Sequence, residues 1–295
     1  MLYKESRVKY AWIKEHTTQW KVRTMCSLLE VSSSGYYGWI NHKPSKQDQD
    51  NQFLDQKIME IYKRHKGRYG SIRIWKELLV TGIQCSHNRV KRRLNKLSLK
   101  AKTKRKFKVT TDSFHNNPVA PNLLSRDFTA SASNQKWVSD ITYIWTAKGW
   151  LYLAVIIDLY SRSVVGWSMD KRINKELVCD ALHMALWRRG FPKDIIIHSD
   201  RGSQYCSKRY QNMVKQFNFH CSMSRKGDCW DNAVVESFFH SLKVELVYQT
   251  HYSGQEEARQ DVFEYIEAYY NRIRRHSSLD YKTPFEVEYE MQYVA

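Results

Sequence analysis

The sequence contains little of what marks a disordered, fibrous or membrane-spanning protein. Only 11 of its 295 residues are glycine and 5 are proline, whereas 14% are aromatic, which excludes collagen-like and disordered chains. The longest apolar run covers residues 150–157 and ends at Asp158, far short of the roughly 18 residues that a membrane span requires. No apolar signal segment follows Met1. We therefore expect a soluble, non-secreted protein without a membrane partner.

Paired cysteines are also lacking. The six cysteines are scattered and form no C-x-x-C motif, which argues against a zinc ribbon or a disulfide framework. Cys85 with His87, and His220 with Cys221, are the nearest approaches to a metal-ligand pair, but neither has a second pair at finger spacing. Free thiols are the expected state, and they predict a reducing compartment, the cytoplasm.

Acidic residues are too few in the first half of the chain to balance the basic ones. The net charge is +18, and residues 1–125 carry 26 basic and 9 acidic side chains. Residues 63–108 alone hold 17 basic residues and a single acid, Glu77. A one-sided excess of this size is typical of proteins that bind a polyanion, most simply nucleic acid. A solvated basic surface or a membrane-surface patch is the alternative.

The front half of the chain is predicted to be helical. Residues 1–45 have helical spacing around a Ser/Gly turn at 32–35, as in a helix-turn-helix. A polar stretch at 41–50 predicts a linker. Residues 46–115 then form a basic helical DNA-binding domain, in which Ser86 is expected to cap a helix.

The second half changes pattern. Residues 116–134 are polar and predict a second linker. In residues 135–295, three successive strands, a helix, a short buried strand and further helices predict a mixed α/β sheet flanked by helices. That order matches the ribonuclease-H-like fold. We expect this core to fold without residues 1–125.

Three carboxylates lie at positions where the surrounding sequence is apolar and an acidic residue is unexpected. Asp140 lies within an apolar strand, and Asp200 follows the buried strand that ends near His198. Burying an ionised carboxylate costs several kcal/mol unless it is paired or bound to metal. A capping or ion-paired aspartate explains either one alone equally well. On a helical wheel, Glu236 lies at the edge of an apolar stripe, close to the sheet edge and to solvent.

Other acids fit this arrangement less well. Asp231 faces away from Glu236 on the wheel, Asp228 precedes the helix, and Asp158 ends a strand as a turn residue. The trio of Asp140, Asp200 and Glu236 suits hard cations such as Mg²⁺, with Mn²⁺ as an alternative. Two such ions about 3.5–4 Å apart can bind both oxygens of an in-line phosphodiester displacement.

The spacing of these acids resembles that of a known family. Thirty-five residues separate Asp200 from Glu236. The chain is similar to the DDE transposases with a retroviral-integrase-like core, and closely to the second-frame (orfB) products of the insertion-sequence-three family. The matching segments are WVSDITY at 137–143, HSDRGSQY at 198–205, GDCWDNA at 227–233 with ESFF at 236–239 and LK at 242–243, and YN at 270–271 with RHSSL at 275–279 and KTP at 282–284. VSSSGYY at 31–37 and RYGSIR at 68–73 resemble the family's front half.

The resemblance implies a transposase that cleaves and joins the DNA of a bacterial insertion sequence by a DDE two-metal mechanism. Asp140, Asp200 and Glu236 would be catalytic and would hold two Mg²⁺, while Lys243 would touch DNA phosphate. His240 would do likewise or be a solvated surface residue. The other candidate DNA-binding residues are Arg68, Arg73, Arg89, Arg92, Arg93, Lys104, Arg105 and Lys106.

The resemblance also implies partners. These are insertion-sequence end DNA, target DNA and further copies of the chain, in a homodimer or larger assembly at the bacterial nucleoid. Family enzymes are often fused by frameshifting to an upstream helix-turn-helix and leucine zipper. This chain has no sustained heptads, so an upstream-frame (orfA) protein is a candidate partner. The rival hypotheses are a non-catalytic DNA-binding regulator on the same fold and a ribonuclease-H-like nuclease that cuts without joining.

Overall fold

The computed structural model describes residues 6–41, 43, 45–102, 119–225 and 229–294. Its first helices are α1 (Ser6–Glu15), α2 (Val22–Leu28) and α3 (Ser33–Ile40), which enclose a small core that includes Ile13, Met25 and Tyr36. The Ser32 side chain accepts a hydrogen bond from the Gly35 backbone N–H. The expected turn at 32–35 is therefore the capped first turn of α3, because an N-cap serine satisfies a backbone donor there.

A second set of helices follows, α4 (Lys46–Arg64), α5 (Ser71–Val80) and α6 (His87–Lys96). The predicted linker over 41–50 is wrong beyond Ser45, since Ser45 and Asp48 form a reciprocal capping box that starts α4 at Lys46. The Ser86 side chain accepts a hydrogen bond from the Arg89 N–H, which confirms Ser86 as the cap of α6.

The central element is a five-stranded sheet. Its strands are β1 (Lys136–Thr146), β2 (Gly149–Asp158), β3 (Val164–Asp170), β4 (Ile196–Ser199) and β5 (His220–Met223). The order across the sheet is β3-β2-β1-β4-β5, with the first three strands antiparallel and β1, β4 and β5 parallel. The predicted mixed sheet is confirmed, and β5 adds a strand that the half-polar sequence of its four residues does not reveal.

Both faces of the sheet are covered. Ala154 and Ile156 belong to an apolar cluster with buried side chains of α7 (Lys175–Arg188) and α8 (Lys208–Gln216), whereas Val155 and Ile157 belong to the apolar cluster on the opposite face. The apolar run at 150–157 is therefore a strand buried on both sides. Gly166 in β3 allows α7 to approach closely, because a Cβ there would lie 2.2 Å from the Ala181 carbonyl oxygen.

The opposite face carries α9 (Ala233–Glu245), α10 (Gln255–Glu264) and a π-helical turn (Tyr265–Tyr270) that continues α10. A final helix, α11 (Pro284–Val294), follows in the chain. Aromatic side chains of the π-helical turn are buried, Tyr265 and Tyr270 among them. A π turn shifts the helical register by about one residue, and such turns are frequent at functional sites.

The basic helices α4–α6 pack against the core near the segment that follows the π-helical turn. The Tyr69 hydroxyl donates to the Ile273 carbonyl at 3.2 Å and accepts from the Arg275 N–H at 2.8 Å. Arg275 also forms an ion pair with Glu77 of α5. Apolar side chains of both regions form one buried cluster, so the helical region and the core share an interface.

Within the described residues, no helix combines the length and apolarity needed to cross a membrane. Cys26, Cys85, Cys179, Cys206 and Cys221 are free thiols, as the sequence predicts.

Candidate active site

Asp140 and Asp200 lie at the same level of two neighbouring parallel strands. β1 pairs with β4 in the register Val138 to His198, which places position 140 opposite position 200, one residue beyond the end of β4. Adjacent strands are about 4.8 Å apart. The sheet therefore brings together two acids that are 60 residues apart in sequence.

Backbone amides orient both carboxylates. Asp140 Oδ1 accepts a hydrogen bond from the Ile141 N–H at 2.7 Å, and Asp200 Oδ1 accepts one from the Gly202 N–H at 2.9 Å. A Cβ on Gly202 would lie 3.0 Å from Asp200 Oδ1. A side chain at position 202 would therefore crowd this carboxylate.

Buried polar residues that the sequence analysis did not single out connect β1 to the segments on either side of the site. The Ser139 hydroxyl hydrogen-bonds the buried Tyr205 hydroxyl at 2.8 Å, linking β1 to the turn after Asp200. The Asn232 amide donates to the Ser139 carbonyl at 3.2 Å, linking β1 to the start of α9. All three residues lie inside segments that carry the family resemblance, but their positions in the sequence do not predict these hydrogen bonds.

Glu236 comes from α9, which packs across β1. Val235, Phe239 and Leu242 are buried on the inner face of α9, and Glu236 is exposed, as the helical wheel indicates. Partial desolvation raises the pKa of Glu236. The helix thus presents this acid at the border between core and solvent.

Asp200 and Glu236 act electrostatically on Asp140. Burial raises the pKa of Asp140 well above its usual value, the charges of Asp200 and Glu236 raise it further, and the Ile141 N–H and the Lys243 ammonium oppose the shift. Lys243 is buried, and its Nζ lies 4.7 Å from the centre of the Tyr143 ring. Burial lowers the pKa of Lys243, while the charge of Asp140 raises it.

The three acids are the candidate ligands for a metal ion. Within the ranges that the structure describes, no three His, Cys, Asp or Glu side chains lie close enough together to hold one ion. Among these residues, α9, β1 and β4 therefore do not form a preassembled three-ligand metal site. The oxygen donors nevertheless suit Mg²⁺, and the repulsion that raises the pKa of Asp140 is what a divalent cation would offset.

The acids rejected from the sequence have structural partners or lie elsewhere. Asp231 is fully buried and accepts hydrogen bonds from Arg126 and Arg225, which hold its pKa far below the usual value. Asp158 ends β2 and accepts hydrogen bonds from the Asn134 and Tyr160 N–H groups. Asp228 lies outside the described residues.

The candidate DNA-binding residues fall into different environments. On α6, Arg92 is exposed, Arg93 forms an ion pair with Asp55, and Arg89 donates to the Asn51 side chain. His240 is exposed on α9. Lys104, Arg105 and Lys106 lie outside the described residues.

Arg68 and Arg73 make contacts within the protein, and their predicted role in DNA binding stays a prediction. Arg68 is buried, donates to the Glu245 carbonyl at 3.3 Å and lies over the Tyr269 ring. Arg73 donates to the Arg275 carbonyl at 3.1 Å. Both guanidinium groups therefore join the helical region to the core.

Known families match most of the chain. Residues 130–229 match the model of an integrase core domain, residues 218–284 match a second integrase core model, and residues 48–107 match that of an HTH-like domain. With the sheet order, these matches confirm the predicted fold, a ribonuclease-H-like α/β core preceded by a helix-turn-helix-like region.

Curated relatives extend over nearly the whole chain. Transposase InsF for insertion sequence IS3A, from Escherichia coli strain K12, is 48% identical over 272 residues, which cover 92% of this chain and 94% of the relative. The insertion element IS600 uncharacterized 31 kDa protein of Shigella sonnei is 45% identical over 260 residues, covering 88% and 96%. The solved HTLV-2 integrase catalytic core domain in complex with magnesium, in its dimeric form, is similar at 18% identity with a TM-score of 0.40, covering 53% of this chain and 97% of that chain. On the identity and coverage of the curated relatives, the chain belongs to the IS3 family of insertion-sequence transposases.

Proposed function

We propose that this transposase cleaves the ends of an insertion sequence and joins them to target DNA in a reaction that needs two Mg²⁺ ions, or Mn²⁺ in their place. Asp140, Asp200 and Glu236 would be the ligands. The observation that carries the proposal is the alignment of Asp140 with Asp200 across β1 and β4, with both neighbouring charges raising the pKa of Asp140. Acids held together against their own repulsion are typical of functional sites.

The chemistry is two successive displacements at phosphorus. When bound, the ions would activate the attacking oxygen and stabilise the leaving oxygen. In the first displacement water forms a bond to phosphorus, and the 3′ oxygen of the element leaves as a hydroxyl. In the second, that 3′ oxygen bonds to a target phosphorus, and the target's own 3′ oxygen leaves. The chain forms no covalent bond to DNA in either step.

The residues of the chain supply position and charge. Asp140 and Asp200 are fixed by the sheet and by backbone N–H groups, whereas Glu236 approaches from the more exposed surface of α9. The Lys243 ammonium contributes positive charge beside Asp140, where a phosphate would enter. His240, exposed one helical turn from Glu236, is the outer candidate for a phosphate contact.

The partners follow from the same proposal. The DNA substrates would be the element ends and a target duplex, held by a dimer or a larger assembly in the bacterial cytoplasm. An upstream-frame protein would contribute to recognition of the ends.

A joining assay tests the reaction. The full chain, alone and with the upstream-frame protein, is incubated with duplexes carrying the element's own ends and a target plasmid, with Mg²⁺ or with EDTA. Covalently joined end–target product in Mg²⁺ alone is the expected result. Nicked DNA without joining would indicate the nuclease alternative, and binding without any cleavage would indicate a non-catalytic regulator.

Binding to DNA should be strongly dependent on salt. If about 6–10 phosphates are neutralised, the affinity should fall by about 10³–10⁵ between roughly 50 and 200 mM salt, because released counterions drive association. Fluorescence anisotropy with a labelled duplex measures this dependence. Arg92→Ala should reduce the slope of log affinity against log salt by about 1. Lys57→Ala is the control, since Lys57 is already paired with Glu60. A slope near zero for the unmodified chain would show that the basic helices do not bind DNA through its phosphates.

A further inference from the structure

The hairpin of β1 and β2 carries large aromatic side chains that the core does not cover. Trp145 and Trp150 are 58% and 42% exposed, although burying an aromatic ring is strongly favourable. The two residues pair directly across the strands, with ring centres 4.7 Å apart. Tyr143 joins them, since its ring centre lies 5.1 Å from that of Trp150. We call Tyr143, Trp145 and Trp150 the aromatic row.

The aromatic row starts beside the candidate active site. Its first member, Tyr143, lies under the Lys243 ammonium, and the charge of that ammonium reaches Asp140. Along β1, residues 143 and 145 are about 10 and 17 Å from residue 140, at roughly 3.4 Å per residue. Alternation along the strand places these rings on the opposite face of β1 from Asp140. Because β1 is no longer paired with β4 beyond residue 138, a DNA strand whose phosphate lies at the acids would pass around this edge of β1 and bring its next few nucleotides to the rings.

The hairpin is held rigidly. The Thr146 hydroxyl donates to the Gly149 carbonyl at 2.7 Å, the Ala147 N–H donates to the Tyr252 carbonyl at 3.0 Å, and the Gln255 amide donates to the Trp150 carbonyl at 2.9 Å. A surface that is already ordered loses little conformational entropy when it binds. The rings are therefore presented as a fixed platform.

The charge on the hairpin suits nucleic acid. Residues 143–152 contain one cation, the exposed Lys148, and no acid. With Lys243, the aromatic row therefore has a positive group at each end, which is the combination that single-stranded nucleic acid prefers. Bases within a duplex have their faces covered by neighbouring bases, so only unpaired bases can stack on exposed rings.

We propose that the aromatic row binds unpaired nucleobases of the DNA strand next to the phosphate held at Asp140, Asp200 and Glu236. The inference rests on the proposed function for the position of that phosphate. Stacking on Trp145 and Trp150 would hold the strand open beside the site of cleavage. The alternative occupant of an exposed aromatic surface is a second copy of the chain, and the experiment separates the two.

The test measures binding without catalysis. The full chain in EDTA is titrated with a blunt duplex and with the same duplex carrying a four-nucleotide single-stranded overhang labelled with 2-aminopurine. The unmodified chain should bind the overhang duplex more tightly and change its 2-aminopurine emission. Trp145→Ala and Trp150→Ala should each weaken overhang binding by about tenfold, within the range for loss of one base–aromatic stack, with little effect on the blunt duplex. Trp145→Phe should restore part of the loss.

Trp187 provides a matched control. It is 73% exposed on α7 and contacts Phe191 instead of the hairpin, so Trp187→Ala should bind both duplexes as the unmodified chain does. Equal affinity of the unmodified chain for the two duplexes, or unchanged overhang binding by both alanine variants, would refute the inference. Loss of self-association in sedimentation, without a change in DNA binding, would assign the surface to a second copy. None of these outcomes depends on strand transfer, which the joining assay measures separately.

Discussion

Asp200→Asn is expected to lower the rate of strand transfer by at least about 10³-fold while leaving DNA binding intact. The substitution keeps the shape of the side chain and an oxygen that can accept the Gly202 N–H, so the turn should not change. It removes the negative charge that a divalent cation requires, and metal-assisted displacement is worth several kcal/mol, at 1.36 kcal/mol for each tenfold in rate. Gel analysis of joined product in Mg²⁺ measures the rate.

Asp140→Asn and Glu236→Gln should have the same effect on strand transfer. In EDTA, each of the three variants should bind end DNA at least as tightly as the unmodified chain, because a carboxylate facing phosphate repels it. Asp140→Asn should also leave the free energy of unfolding undiminished, since burial and the charges of its neighbours oppose ionisation of Asp140. Preserved binding and stability with lost joining would distinguish a catalytic acid from a structural one.

Asp194→Asn is the matched control for these variants. Asp194 is an exposed aspartate just before β4, at the opposite end of that strand from Asp200, and its φ of 59° suits asparagine equally well. Joining should proceed at the unmodified rate. An Asp200→Asn variant with unmodified strand transfer would overturn the assignment of the site.

The sequence predicts the sheet and the position of its acids because both depend on local patterns. A strand buried on two sides is a continuous apolar run, as in residues 150–157, and Glu236 sits where helical periodicity puts it. The order of β1 and β4 then brings Asp140 beside Asp200. The short strand β5 lacks such a pattern, since its residues 220–223 are half polar and its hydrogen bonds come from β4.

The sequence does not show which polar side chains pair with residues far away in the chain. When the partners of its members are unknown, a cluster of basic residues is interpreted as a phosphate-binding surface. Arg68 and Arg73 belong to such a cluster, yet their partners are 177 and 202 residues further along the chain. The sequence likewise contains Tyr205 and Asn232 only as members of motifs. Their role depends on hydrogen bonds to Ser139, which lies in a different element of the fold.

The same long-range contacts revise the expectation that the core folds without residues 1–125. Glu245 of α9 lies at the centre of a buried group, accepting hydrogen bonds from Arg274 at 2.8 and 3.0 Å and from the Tyr265 hydroxyl at 2.9 Å. Arg73 of α5 lies 3.6 Å away. Removing residues 1–125 would delete Arg73, together with the Glu77 partner of Arg275. Removing only residues 1–43 would leave these contacts in place.

Glu245→Gln is therefore expected to lower the free energy of unfolding by about 3–5 kcal/mol, the usual cost of breaking a buried ion pair from one side. Burial alone would raise the pKa of Glu245, but the charge and hydrogen bonds of Arg274, the charge of Arg73 and the hydrogen bond from Tyr265 lower it below the usual value. The carboxylate therefore stabilises the fold above its unfolded pKa, and this contribution is lost as the pH falls through the lower folded value. Urea denaturation near pH 7 measures the change. Glu256→Gln is the control, since Glu256 is 93% exposed beside Arg259 and surface pairs contribute at most about 1 kcal/mol. Equal stability of the two variants would mean that the arginines of the interface, and not Glu245, hold the helical region on the core.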